Sequence, residues 1–315
     1  MAVNLVRFMQ AGQPRWGLVL VDGIAPLAAD YATTADLLAQ PAAALRAQAS
    51  GAPRLAPDQI ELACPLTQPC QIVCQGANYR QHMLESGLDP DAKDYNLFFT
   101  KSDATLAPAR GELRAPAHVS LLDYELELGL VLGRAISAPL TVTAADLPRY
   151  VAALVMANDV TARDVQLPQL QWFKGKSYRG FCPLGPYLCL LEPQDYALIE
   201  RLELGLTVNG AVRQQDSSAN LVFKPAETLS ELSTFCNLAA GDVLLTGTPS
   251  GCALRAPSPL LQKIAALLPE QRKWRMFVAG QRKRAAYLKP GDVIRSTIRS
   301  ADGSIDLGEQ MLAVR

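Results

Sequence analysis

Histidine is nearly missing from this chain: His82 and His118 are the two in 315 residues. A zinc site built on several imidazoles is excluded by supply alone, which leaves oxygen donors as the available metal chemistry. Net charge is missing too, since 30 Lys and Arg balance 30 Asp and Glu. A protein that tracks phosphates or a membrane surface shows a basic excess or stripe, so no nucleic-acid partner is expected. The densest basic stretch, Lys273 to Arg284, reads as a solvated face. The seven cysteines, Cys64, Cys70, Cys74, Cys182, Cys189, Cys236 and Cys252, show no C-x-x-C spacing and are odd in number. Reduced thiols in a cytoplasmic protein fit that pattern better than a disulfide framework. No run approaches the ~20 apolar residues of a membrane span. The first ten residues also lack the apolar core of a signal peptide, so a soluble, unexported protein is expected.

What is present is mostly strand signal. Val3 to Phe8, Trp16 to Val21 and Ile24 to Leu27 are short apolar runs, with a turn expected at Asp22-Gly23. The Ala- and Leu-rich stretch 34–48 suits a helix, and 51–57 reads as a linker. Residues 1–65 are therefore expected to form a small N-terminal domain, and 66–315 the main one. In the latter, Gln71 to Cys74 reads as a strand leading through a turn into a short helix ended by Gly87. Leu202, Leu204, Leu206 and Val208 alternate strictly before an Asn209-Gly210 turn. Helical segments are few and do not alternate with strands, which favours an α+β, mainly β fold over a doubly wound sheet.

The chemistry centres on Asp123-Tyr124-Glu125-Leu126-Glu127-Leu128. A strand repeats its facing every two residues, so Glu125 and Glu127 share one face, opposite Leu126, Leu128, Leu130 and Leu132. Adjacent like charges repel unless a cation lies between them, and a hard divalent ion with oxygen ligands meets that need. Asp159, after the apolar run Val151 to Val155, is the natural third ligand at a strand end. The pattern has bland readings as well, because E-x-E occurs on ordinary surface strands and Asn158-Asp159 also suits a turn.

His82 and Glu85 stand three apart in the short helix, which puts imidazole and carboxylate on one face, as in a general-base dyad or an incidental surface pair. Arg163, Gln166 and Lys176 offer two cations and an amide for a developing oxyanion. Thr246-Gly-Thr-Pro-Ser-Gly is a glycine-rich turn whose hydroxyls and amides suit a carboxylate. It has neither the lysine nor the spacing of a P-loop. His118, in a loop without an acidic neighbour, is read as structural.

Taken in order, Gly76-Ala-Asn-Tyr-Arg-Gln-His-Met-Leu-Glu, Phe98-Phe-Thr-Lys, Asp123-Tyr-Glu-Leu-Glu-Leu-Gly, Asn158-Asp-Val-Thr-Ala-Arg-Asp-Val-Gln, Gly175-Lys-Ser, Pro183-Leu-Gly-Pro and Thr246-Gly-Thr-Pro-Ser-Gly resemble the fumarylacetoacetate hydrolase family. The resemblance covers about residues 70–255, and the N-terminal strands look like the family's usual extension. It implies a mixed β-sandwich roll, a homodimer, and Mg²⁺ or Mn²⁺ on Glu125, Glu127 and Asp159. It also implies that His82 and Glu85 activate water on a closing lid, that Arg163, Gln166 and Lys176 steady the oxyanion, and that Thr248 contacts substrate.

The leading functional expectation is a metal-dependent hydrolase that cleaves a C–C bond in a 2,4-dioxo acid of acylpyruvate or fumarylpyruvate type, through an enolate. An oxaloacetate-type decarboxylase, or an isomerase or hydratase of aromatic catabolism, is the alternative on the same fold. A non-catalytic binding protein is a third. The stretch 258–286 is longer than the family's usual connection, and Leu260, Leu261, Ile264, Leu267 and Leu268 have helical spacing there.

Overall fold

The structure, a computed structural model, describes residues 2–170, 172–255 and 267–315. Within them the turn chemistry is realised locally. Asn209 and Gly210 take φ of 52° and 79° between the paired residues Val208 and Ala211. Such a two-residue turn with both φ positive matches the twist of its strands. The pair Ala11-Gly12 makes the same kind of turn, with φ of 50° and 79°. The first predicted turn moves by one residue: Leu20 pairs with Gly23, so Val21-Asp22 form the loop and Gly23 opens the next strand. The helix expected over 34–48 is two helices, Thr34–Leu38 and Ala42–Gln48. Pro41, extended at φ −60° and ψ 142°, separates them, because its ring disfavours helical geometry at the residue before it.

A large mixed sheet runs in the order Gly23–Pro26, Gln13–Leu20, Val3–Gln10, Leu188–Leu190, Val151–Asn158, Leu126–Leu132, Val243–Leu245, Ile72–Gly76, Leu97–Lys101. The N-terminal strands thus join its edge, where Val3 pairs with Leu190 and Leu5 with Leu188. A second sheet holds Ala211–Ser217, Leu202–Val208, Val293–Ser300, Asp306–Val314 and Arg110–Leu113. The expected α+β, mainly β architecture is what the chain adopts.

The main core lies between the sheets. Leu126, Leu128, Leu130 and Leu132, all fully buried, meet Leu202, Leu204, Leu206, Ile294 and Ile298 there. Each such side chain is worth about 1.5–3 kcal/mol of burial. The opposite face of the Leu126–Leu132 strand packs Val131 against Val155, Val243 and Ile72. At Gly129 a Cβ would lie 2.7 Å from Val155 and 3.1 Å from Val243, so the strands close up only because the residue has no side chain. This double-sided packing holds the strand that presents Glu127 rigid.

Of the stretch 258–286, positions 258–266 with Leu260, Leu261 and Ile264 lie outside the described residues. Leu267 is exposed, and Glu270–Gln281 forms a helix whose basic residues largely face solvent, as its charge pattern implies.

Candidate active site built on a buried carboxylate cluster

Antiparallel pairing assembles the cluster. Leu126 is opposite Asn158, so the start of one strand meets the end of its neighbour. The Asp159 amide donates to the Glu125 carbonyl at 2.8 Å, and the Glu125 amide donates to Asn158 Oδ1 at 3.1 Å. Glu125, Glu127 and Asp159 are all buried, and a ligand oxygen from each lies within 4.8 Å of the others. Separations of 34 and 32 residues, from Asp159 to Glu125 and to Glu127, are erased by one strand register.

Cations fill two sides of this cluster. Lys176 Nζ donates to Glu125 Oε2 at 2.6 Å, to Asp159 Oδ2 at 2.5 Å and to Thr161 Oγ1 at 2.9 Å. It also sits 4.9 Å over the Phe99 ring. Arg163 donates from Nε to Asp123 Oδ2 at 2.8 Å, from Nη1 to Gln166 Oε1 at 3.0 Å, and from Nη2 to Glu125. Burial opposes charge on Lys176, but Asp159 and Glu125 outweigh it and raise the ammonium pKa. Burial also opposes charge on Glu125, yet Arg163 and Lys176 hold its pKa below the usual carboxylate range.

Glu127 is the exception. Its Oε2 accepts the Gly247 N–H at 2.9 Å, and among the described residues no side-chain cation pairs with it. Burial first, then Asp159 and Glu125, push its pKa well above the ordinary value. Four buried carboxylates, Asp123, Glu125, Glu127 and Asp159, face three cations, Lys101, Arg163 and Lys176. An oxygen-only donor set with an uncompensated carboxylate fits a hard divalent ion such as Mg²⁺ or Mn²⁺.

Thr248 lies beside the cluster. Its Oγ1 donates to the Leu126 carbonyl at 3.0 Å and accepts from Gln214 Nε2 at 2.8 Å. The threonine proton is therefore already committed, and a lone pair is what this hydroxyl still offers.

His82 is half-buried on the helix Arg80–Glu85. Burial lowers its pKa, and Glu125 opposes this more strongly than Glu85 does. Glu85 is exposed, and among the described residues no hydrogen bond joins it to His82. His118 has a structural setting, with Nε2 2.8 Å from the Tyr178 hydroxyl and the two rings edge-on.

A family model described as fumarylacetoacetate (FAA) hydrolase C-terminal matches residues 71–314. The chain belongs to the fumarylacetoacetate hydrolase family. Oxaloacetate tautomerase YisK of Bacillus subtilis (strain 168) is 36% identical over 195 residues, which are 61% of this chain and 63% of that protein. The mitochondrial oxaloacetate tautomerase Fahd2a of Rattus norvegicus is 32% identical over 222 residues, 70% of this chain and 69% of that one. The structure of a fumarylacetoacetate hydrolase from psychrophilic Exiguobacterium antarcticum superposes with a TM-score of 0.75 over 99% of both chains, at 25% identity.

Three supporting residues of this hydrolase-family site went unread as site residues in the sequence. Lys101, at the end of the strand Leu97–Lys101, donates to Asp159 Oδ1 at 2.5 Å. Asp123 accepts the amides of Tyr124, Ala253 and Leu254 as well as Arg163 Nε. Asn78 donates to the carbonyls of Phe223 and Thr246, tying the chain just before the His82 helix to the Thr246–Thr248 turn. A polar residue inside an apolar stretch was the available signal for Asp123, but it does not name a partner.

Proposed function

We propose that this chain moves a proton beside the carbonyl of an oxaloacetate-like 2-oxo acid, interconverting its keto and enol forms through an enolate. The observation that carries this reading is the closure of Glu125, Glu127 and Asp159 to within 4.8 Å of one another, with Arg163 and Lys176 bonded to the same carboxylates. Two relatives that bear the name oxaloacetate tautomerase, at 36% and 32% identity, support it. Held by Glu125, Glu127 and Asp159, Mg²⁺ or Mn²⁺ would act as a Lewis acid for the negative charge of the enolate.

The chain's own residues account for the rest. His82, uncharged near neutrality because burial lowers its pKa, takes the proton from the carbon next to the carbonyl, and the imidazolium so formed returns it to the enolate oxygen to give the enol. Lys176 and Arg163 remain cationic and stabilise the developing oxyanion. Arg163 occupies Gln166 Oε1, so Gln166 presents its N–H group rather than its oxygen. Thr248, with its proton on Leu126, accepts a hydrogen bond from substrate or its enol.

C–C hydrolysis of a 2,4-dioxo acid is the second reading. It is favoured by the placement of His82 and Glu85 three residues apart on one helix, where lid closure would join them as a water-activating pair. The homodimer and the cytoplasmic setting belong to this proposal as well. Among the described residues no helix is long and apolar enough to cross a membrane.

Enol absorbance of oxaloacetate, followed with Mg²⁺ or Mn²⁺ present, tests the first reading. Faster approach to the keto–enol equilibrium, with neither CO₂ nor pyruvate released, is expected. Pyruvate plus a carboxylic acid from an acylpyruvate, without any effect on oxaloacetate, would move the assignment to hydrolysis.

A further inference from the structure

The two oxygens of Asp159 are held differently. Oδ2 accepts from Lys176 Nζ at 2.5 Å, and that lysine also holds Glu125, so it belongs to the shared interior of the carboxylate cluster. Oδ1 accepts from Lys101 Nζ at 2.5 Å, and Lys101 bonds to no other member of the cluster. Its second contact is the Val160 carbonyl at 3.3 Å, one residue beyond Asp159. Both side chains of this pair have 0% exposure. Lys101 is the last residue of a sheet strand whose Ile72 partner fixes its backbone, whereas Lys176 lies at the end of the five-residue helix Trp172–Lys176.

We propose that Lys101 is a positioning residue that holds back one oxygen of Asp159, so that this carboxylate meets a bound cation through Oδ2 alone. Freeing Oδ1 would leave a buried ammonium with a single distant carbonyl, which a protein interior does not tolerate. Mg²⁺ and Mn²⁺ take six oxygens, and each oxygen the protein withholds is a position left to substrate or water. Lys101 therefore trades cation affinity for room to bind a 2-oxo acid. This inference rests on the metal-dependent reading above, but not on which reaction follows.

The test is Lys101→Met, which keeps the apolar stem and removes the charge. Mn²⁺ affinity measured by calorimetry should rise at least tenfold, while kcat falls at least tenfold. Weaker or unchanged Mn²⁺ affinity would mean that Lys101 is an ordinary structural lysine, and would overturn the proposal. A crystal structure of the Mn²⁺-loaded wild-type protein serves if the variant does not fold. Asp159 should bind through one oxygen with Lys101 still on the other, and chelation by both oxygens would overturn the proposal. Tighter Mn²⁺ binding by Lys101→Met, in a protein inert toward oxaloacetate and acylpyruvates, would uphold the role of Lys101 and reject the functional reading instead. Absence of Mn²⁺ binding by the wild type would reject both.

Discussion

Arg163 Nε donates to Asp123 Oδ2 at 2.8 Å, with the two side chains 5% and 0% exposed. Asp123 collects three backbone amides besides, so one carboxylate fixes both the arginine of the site and the loop at Ala253 and Leu254. Asp123→Asn presents an amide N–H group to donors on at least one side. Breaking a buried pair in this way costs about 3–5 kcal/mol. Urea denaturation should show that loss, and turnover should fall with it because Arg163 loses its anchor. A variant with wild-type stability would mean that the pair holds nothing in place.

Glu127 stands in the opposite position, as a buried carboxylate with one N–H partner among the described residues and two carboxylate neighbours. Glu127→Gln should stabilise the metal-free protein by about 0.5–2 kcal/mol while removing most of its Mg²⁺ or Mn²⁺ binding. The sign follows from the raised pKa. Wild-type stability from this group is complete below the unfolded value of about 4.3, and is lost as pH rises toward the folded value. The gap between variant and wild type should therefore widen with pH in thermal melts, and close in acid.

For His82 the shift runs the other way. Free imidazole titrates near 6.5, so the acid limb of kcat/KM should have its midpoint below that value. The fold correspondingly loses stability as pH falls from about 6.5 through the lowered pKa of the folded state. His82→Ala should cost roughly a hundredfold or more in rate and abolish the limb. A limb that persists in the variant would assign the proton transfer to another group.

Glu85 separates the two reactions. It is exposed and not bonded to His82 in this conformation. Glu85→Gln should leave tautomerisation within roughly threefold of wild type, but lower any acylpyruvate hydrolysis by tenfold or more, since water activation needs the pair. Equal losses in both assays would make Glu85 part of a common step.

Much of the candidate site was legible in the chain because it repeats at short range. Glu125 and Glu127 are two apart, the first immediately before the strand Leu126–Leu132 and the second inside it, His82 and Glu85 are three apart on a helix, and Asn209-Gly210 is a turn in its own right. The helix over 34–48 was misread for a local reason, since Ala and Leu periodicity outweighed Pro41, which the backbone obeys. Lys101 had no local signal at all. Its partner Asp159 is 58 positions away, and nothing in Phe98-Phe-Thr-Lys distinguishes a buried lysine from a strand-end lysine in water.

By itself, the sequence determined the chemistry at hand: oxygen donors in place of imidazoles, no net charge, two carboxylates two residues apart, and the family motifs in order. Short-range periodicity and turn chemistry carry that information, because φ, ψ and side-chain facing are local. Only the tertiary structure decided which charges meet. The register that sets Leu126 against Asn158 brings Asp159 to Glu125 and Glu127. The packing of three further elements then supplies Lys176 and Lys101 to Asp159 and Arg163 to Glu125, while among the described residues no side-chain cation pairs with Glu127. Electrostatic strength inside a protein depends on distance and burial, and neither is a property of positions along the chain.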